Sequence, residues 1–108
     1  MLRLCEERLL MSDTTPNIDA LCLTKEDNVA TVLRAVRVGE TVSVRSGGSI
    51  TTIAVRSDIP ICHKIAFKAI APGHPVIKYG EVIGIAIDAI APGRHVHIHN
   101  MRSNRART

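Results

Sequence analysis

Beyond residue 40, apolar residues alternate with polar ones along most of the chain, which is the periodicity of half-buried β-strands. The β-branched runs 41–44 and 50–55 flank Ser46-Gly47-Gly48-Ser49, a composition typical of a hairpin turn. Leu21 and Leu23 alternate with small or polar neighbours and predict a short first strand. Further short strands are predicted at 61–67, 76–79, 82–87 and 96–99. The pattern therefore predicts a mostly β protein.

One segment departs from this period of two and carries a helical pattern. Its apolar residues recur at i, i+3, i+4 and i+7, namely Val29, Val32, Leu33 and Val36. Asp27 and Asn28 precede this stripe with side chains of the N-cap type, and Gly39 follows it as a plausible stop. We expect one short helix in this segment.

A short turn sequence occurs twice. Ala69-Ile70-Ala71-Pro72-Gly73 returns as Ala89-Ile90-Ala91-Pro92-Gly93 twenty residues later, and 36–39 is a looser third copy. Proline fixes φ and glycine supplies a positive φ, so each copy predicts a corner that a strand follows. Gly80-Glu81 is a further tight turn between two predicted strands. Such short units do not build a solenoid; they predict a small β structure folded from similar hairpins.

The composition fits one small domain with an aliphatic core. Of the 108 residues, 45% are apolar and 22% charged, and Phe67 and Tyr79 are the only aromatic residues. The net charge of +4 comes without the aromatic platform that single-strand binders use, so we expect no nucleic-acid binding. No stretch approaches the roughly 20 apolar residues of a membrane span. Cys5, Cys22 and Cys62 form no CxxC pair and indicate no disulfide framework, which favours a cytoplasmic protein.

The chain divides into three predicted segments. Residues 1–19 are a flexible N-terminal lead-in, in which either Met1 or Met11 can be the true start. Residues 20–103 form the β domain, and 104–108 are a basic C-terminal tail.

The segment His95-Val96-His97-Ile98-His99-Asn100 carries the most informative chemistry. On a strand its three histidines share one face, and clustered imidazoles commonly bind a metal or an anionic substrate. His95 and His99 would lie about 13 Å apart on a straight strand, too far for one ion with bonds near 2.1 Å. We therefore expect at most two of the three on one ion, with His63 as a further ligand. The alternatives are an exposed polar strand face and a subunit interface.

Four other polar residues suit a substrate that carries a carboxylate and hydroxyls: Lys64, Lys78, Tyr79 and Arg102. Each alone also has the character of a solvated surface residue. The sequence contains no pair of carboxylates, no Ser/His/Asp spacing and no Gly-rich phosphate loop, so no catalytic residue is identified.

An ordered set of blocks resembles the N-terminal SAF-type domain of altronate and galactarate dehydratases, over roughly residues 21–105. The blocks are 27–30, 62–66, 76–80, Gly84 and 95–100. The resemblance implies a small β-clip fold of short bent strands. It also implies a place in a hydro-lyase that turns a sugar acid into a 2-keto-3-deoxy sugar acid, with a divalent metal, Fe²⁺ above all, assisting.

The resemblance also implies a partner. Full-length enzymes of this family continue into a large catalytic domain beyond the position of Thr108, so we expect a small subunit that acts with a separate large catalytic subunit and is inactive alone. The small subunit of sulfolactate sulfo-lyase is similar too, which leaves the substrate open. A free-standing SAF module that binds a sugar acid or a metal is the alternative. Exposed strand edges predict a homo-oligomer when the chain is isolated.

Overall fold

The computed structural model describes residues 17–103, and every regular element in that range is a strand. The strands are β1 Ala20–Cys22, β2 Val29–Val32, β3 Thr41–Ser46, β4 Ser49–Ala54, β5 Lys64–Ala66, β6 Pro75–Lys78, β7 Glu81–Ala86, β8 His95–Val96 and β9 Met101–Ser103. Six of them form a sheet in the order β4-β3-β1-β2-β5-β8, and β6-β7-β9 form a second sheet. The mostly β prediction is confirmed. Residues 1–16, with Cys5 and Met11, and residues 104–108 lie outside the described residues, so the predicted lead-in and tail stay predictions.

The helix expected over 29–36 is wrong. Val29–Val32 is strand β2, which lies between β1 and β5, and residues 17–103 contain no helix, hence none that is long and apolar enough to cross a membrane. Val29 packs in one apolar cluster, whereas Ala30 and Val32 pack in another. A strand covered on both faces loses the alternation of apolar and polar residues. The valines of β2 therefore lack the alternation of a half-buried strand, and their spacing happens to match that of a helical stripe.

The predicted hairpins are confirmed, with shifts of a residue or two. β3 and β4 pair antiparallel through Ser46 and Ser49 around the two glycines. β6 and β7 meet at Tyr79 and Gly80, one residue earlier than expected. Both have positive φ (56° and 79°), the backbone of a type I′ turn, which matches the twist of the strands it joins. In β1 the small residues Ala20 and Cys22 are buried, and Leu23 is 55% exposed.

The repeated turn sequence builds two reciprocal pairs of corners. Ile70 and Ile90 form an isolated antiparallel bridge, in which each N–H donates to the other's carbonyl oxygen at 2.9 Å. Val36 and Ile59 form a second bridge of the same kind, at 2.9 and 2.8 Å. Three residues after each bridging residue stands a residue with positive φ: Gly39 (97°), Cys62 (73°), Gly73 (83°) and Gly93 (94°). Segment 59–62 is thus a fourth corner, which the sequence hides because a cysteine replaces the glycine.

Asp27 and Asn28, taken from the sequence as N-cap residues, instead join the two sheets. Asp27 is buried, and its Oδ1 accepts the Gly80 N–H (2.8 Å) at the β6–β7 turn. Asn28 donates its own N–H to the Ile77 carbonyl (3.1 Å), and its Oδ1 accepts the Ile77 N–H (2.7 Å). These bonds hold the three-stranded sheet against β2, so that the domain encloses two small aliphatic clusters.

Candidate functional site

Strands β5 and β8 bring three histidines together. Lys64 is paired with Val96 and Ile65 with His95, so His63, just before β5, faces His97, just after β8. The ring centroids of His63 and His97 lie 4.6 Å apart, and those of His63 and His95 lie 5.1 Å apart. One ring nitrogen from each of the three lies within 4.8 Å of the others. We refer to His63, His95 and His97 as the histidine group.

The spacing of one nitrogen pair and the charge of the imidazoles suit a single metal ion at the histidine group. His63 Nδ1 and His95 Nε2 lie 3.0 Å apart, and adjacent ligands at right angles, with bonds of about 2.1 Å, are separated by about 3.0 Å. Burial and the neighbouring histidines lower the pKa of His95 to about 4, so its imidazole is neutral at pH 7 and has a lone pair to offer. Burial and His63 also lower the pKa of His97. Such a set suits Zn²⁺, Fe²⁺, Ni²⁺ or Cu²⁺.

The strand predicted over 96–99 is wrong beyond Val96, because Asn100 closes a turn there. Asn100 is 8% exposed; its Oδ1 accepts the His97 N–H (3.0 Å) and its Nδ2 donates to the His95 carbonyl (2.9 Å). The turn holds His95 and His97 in place. His99 lies outside the histidine group, although its ring is 5.3 Å from that of His95. The sequence prediction missed this role of Asn100. The only signal was an asparagine, a residue that bonds nearby backbone in turns.

A cleft of about 820 Å³ opens beside the histidine group, between the corners 69–73 and 89–93. Ile70 and Ile90 lie in its wall, and the polar residues along it include Asp88, Arg94 and His99. His95 also lines it, so the histidine group borders the cleft. Its volume lies within the range of small-molecule sites, and it offers a cation, a carboxylate and imidazoles beside apolar walls.

The four predicted substrate-binding residues do not form one site. Lys64 and Lys78 line a separate groove of about 360 Å³. Tyr79 stands next to it, since the Lys78 Nζ lies 4.9 Å from the Tyr79 ring centroid. Arg102 is exposed on β9 and does not line the groove. Its neighbours Met101 and Ser103 do.

The lysine groove and the histidine group lie on opposite faces of β5. Cross-strand partners share a face, so Lys64 lies on the side of Val96 and Ile65 on the side of His95. Val96 belongs to one apolar cluster and Ile65 to the other. Burial and the charge of Lys78 lower the pKa of Lys64, as expected for two ammonium groups close together.

Comparison with known proteins identifies the family. Residues 18–104 match the altronate/galactarate dehydratase SAF domain. The chain is 46% identical over 78 residues to an altronate dehydratase of Escherichia coli, covering 72% of this chain and 15% of that protein. It is 38% identical over 80 residues to an altronate dehydratase of Bacillus subtilis, covering 74% of this chain and 15% of the relative. With the (2R)-sulfolactate sulfo-lyase subunit alpha of Paracoccus pantotrophus it shares 44% identity over 62 residues, 57% of this chain and 92% of that subunit. The chain belongs to the altronate/galactarate dehydratase SAF domain family, as its ordered sequence blocks predicted.

Proposed function

We propose that this chain is the histidine-bearing part of a sugar-acid hydro-lyase of the altronate dehydratase type, and that it acts in the cytoplasm with a separate large catalytic subunit. The observation that carries the proposal is the histidine group beside an 820 Å³ cleft, in a member of a dehydratase SAF family. The chain spans about 15% of the length of the two altronate dehydratases. The match to 92% of a sulfo-lyase subunit supports a SAF part that exists as a subunit of its own.

In this proposal His63, His95 and His97 hold one divalent ion, Fe²⁺ by resemblance to the family. When bound, the ion supplies a Lewis-acid charge next to the cleft, where negative charge develops on the substrate. Arg94 pairs with the substrate carboxylate, and Asp88 and His99 accept and donate hydrogen bonds to its hydroxyls.

The reaction removes the proton next to the carboxylate and the hydroxyl of the neighbouring carbon, and it releases water and a 2-keto-3-deoxy acid. A base must take that proton, and a positioned carboxylate or histidine is the usual choice. Asp88 is the only carboxylate among the described residues that line the cleft, and we give it a binding role. We assign the base to the large subunit.

Metal binding tests the histidine group directly. The full chain, freed of metal with a chelator, is titrated with Fe²⁺ under anaerobic conditions and with Co²⁺, whose visible absorption reports ligand number. We expect one ion per chain, and a loss of binding in His97→Ala. His74→Ala is the matched control, since His74 is a histidine of the described chain outside the group. Equal loss in both variants would contradict the assignment.

Activity tests the partner. Dehydration of altronate and galactarate is measured with the chain alone, with a large catalytic subunit of the same family alone, and with the two mixed in the presence of Fe²⁺. We expect activity in the mixture only, and a reduced rate with His97→Ala. The proposal fails if the two chains never co-elute and the large chain is fully active by itself.

Sulfolactate desulfonation is the second candidate function. The 92% coverage of the sulfo-lyase subunit alpha favours it, because nearly all of that relative is matched within this domain. Sulfolactate is therefore included in the same assay, and turnover of sulfolactate with no turnover of altronate would assign the chain to that reaction. No turnover of any of the three acids would leave a free-standing binding module.

A further inference from the structure

Two lysines that the proposed metal centre does not use meet in the groove on the other face of β5. Lys64 comes from β5 in the six-stranded sheet and Lys78 from β6 in the three-stranded sheet, so the groove lies where the two sheets meet. Apolar side chains of Ile83 and Met101 line its wall. Both lysines are half-buried and line the groove.

Neither ammonium group has a carboxylate partner within residues 17–103. The ion pairs in that range join Arg34 to Asp19 and to Glu40. Glu81 lines the same groove and is the cross-strand partner of Lys78, but it forms no ion pair with either lysine. Two positive charges held together without a counter-charge repel each other, and an anion between them removes that repulsion.

One network joins Lys78 to the strands that form the groove. The Lys78 Nζ lies 4.9 Å from the centroid of the Tyr79 ring, a cation–π distance. The Tyr79 hydroxyl is hydrogen-bonded to the Thr31 hydroxyl (3.0 Å), and Thr31 is the cross-strand partner of Lys64. The β6–β7 turn is fastened from behind by Asp27, which accepts the Gly80 N–H. Lys78 and the strand that carries Lys64 are therefore held in place before any ligand arrives, which lowers the entropy lost on binding.

We infer that the groove between Lys64 and Lys78 binds an oxyanion, and that this site is separate from the histidine group. Its volume of about 360 Å³ lies at the lower end of the range for ligand sites and suits a single acid group with a short chain. The shared chemistry is a carboxylate or phosphate oxygen between two ammonium groups. A sugar acid as the source of that oxyanion rests on the proposed function; inorganic phosphate as the source does not.

The test uses the full chain labelled with ¹⁵N and titrated separately with galactarate and with inorganic phosphate at constant ionic strength, which keeps screening equal. We expect saturable shifts at residues of β5 and β6, and a Kd about tenfold higher or more in Lys64→Gln and in Lys78→Gln. Lys25→Gln is the matched control, because it removes the same charge from an exposed lysine outside the groove. Its Kd should stay within about twofold of the parent value. The amide spectrum of each variant checks that it is folded.

Equal weakening by Lys25→Gln, or shifts that never saturate, would overturn the inference. Saturable binding of phosphate but not galactarate supports the site and identifies phosphate as the source of the oxyanion. His97→Ala separates this site from the proposed function. It should lose metal binding and keep the oxyanion Kd; loss of both would show that the two sites are one.

Discussion

Gly93 and Gly73 offer a direct measurement of what a close backbone approach costs in this fold. They occupy equivalent positions in the paired corners and have similar positive φ, 94° and 83°. A Cβ on Gly93 would overlap the carbonyl oxygen of Ala54 and lie 3.3 Å from Arg56 Cγ, whereas a Cβ on Gly73 has nothing within 4 Å. Alanine at each position thus separates the cost of the φ angle from the cost of contact.

The expected magnitudes differ clearly. Alanine at positive φ costs about 1–2 kcal/mol, and its lower entropy in the unfolded chain returns about 0.4–1 kcal/mol. Gly73→Ala should therefore lower the free energy of unfolding by about 0.5–1 kcal/mol. Gly93→Ala adds about 1–3 kcal/mol of overpacking against Ala54, and it strains the 2.8 Å hydrogen bond from the Arg56 N–H to the Gly93 carbonyl. We expect a loss of about 3–5 kcal/mol for Gly93→Ala.

Urea denaturation of the metal-free full chain, followed by circular dichroism, measures both variants. The slope of unfolding free energy against urea should be unchanged, so that shifts of the midpoint report stability alone. In thermal unfolding, Gly73→Ala should lose a few degrees and Gly93→Ala about 15 °C or more. Equal destabilisation of the two variants would refute the reasoning, since it would mean that the backbone at Ala54 moves aside at no cost.

Four further predictions follow from particular contacts. Burial raises the pKa of Asp27, but hydrogen bonds from Gly80, Thr24 and Leu23 outweigh it and lower the pKa below its ordinary value. The stability that these bonds supply is therefore complete above about pH 3.9 and lost as the pH falls through the folded pKa. Asp27→Asn should lower the free energy of unfolding by about 2–4 kcal/mol at pH 7. The unfolding free energy of this variant should also change less between about pH 7 and pH 2.5 than that of the parent chain. Asn100→Ala should weaken Co²⁺ binding by about 10–100-fold with the fold intact, and an unchanged Kd would remove its positioning role. Cys62→Gly should raise the free energy of unfolding by up to about 1 kcal/mol, because glycine adopts the positive φ of 73° without strain. Cys62→Ser should leave the free energy of unfolding unchanged in the same urea assay. If the isolated chain forms a homo-oligomer through β4, an uncharged edge strand, Thr52→Lys should shift it to monomer in light scattering, and no shift would place the contact elsewhere.

Local turn chemistry accounts for most of what the sequence predicted correctly about the fold. Gly47-Gly48 between β-branched runs predicted the β3–β4 hairpin, and the two Ala-Pro-Gly turns predicted corners at Gly73 and Gly93. These features depend on φ preferences of single residues, which the sequence states directly. The fourth corner escaped because Cys62 adopts a positive φ that its residue type does not indicate.

Non-local packing accounts for the errors. The valines of β2 match a helical stripe, yet the strand is buried on both faces, and burial depends on which strands surround it. Likewise, three histidines at i, i+2 and i+4 predicted a shared strand face, but the side chain of Asn100 ends the strand after Val96.

The sequence by itself determined the family, the mostly β class and the residue types available for a site, because ordered motifs and local backbone preferences are properties of short segments. Only the tertiary structure decided which of those residues meet. His63 joins His95, 32 residues away, because β5 pairs with β8. Lys64, next in the chain to His63, lies on the opposite face and meets Lys78 instead, because adjacent residues of a strand alternate sides. The register between distant strands follows from burial of the whole apolar surface, so no single segment of sequence contains it.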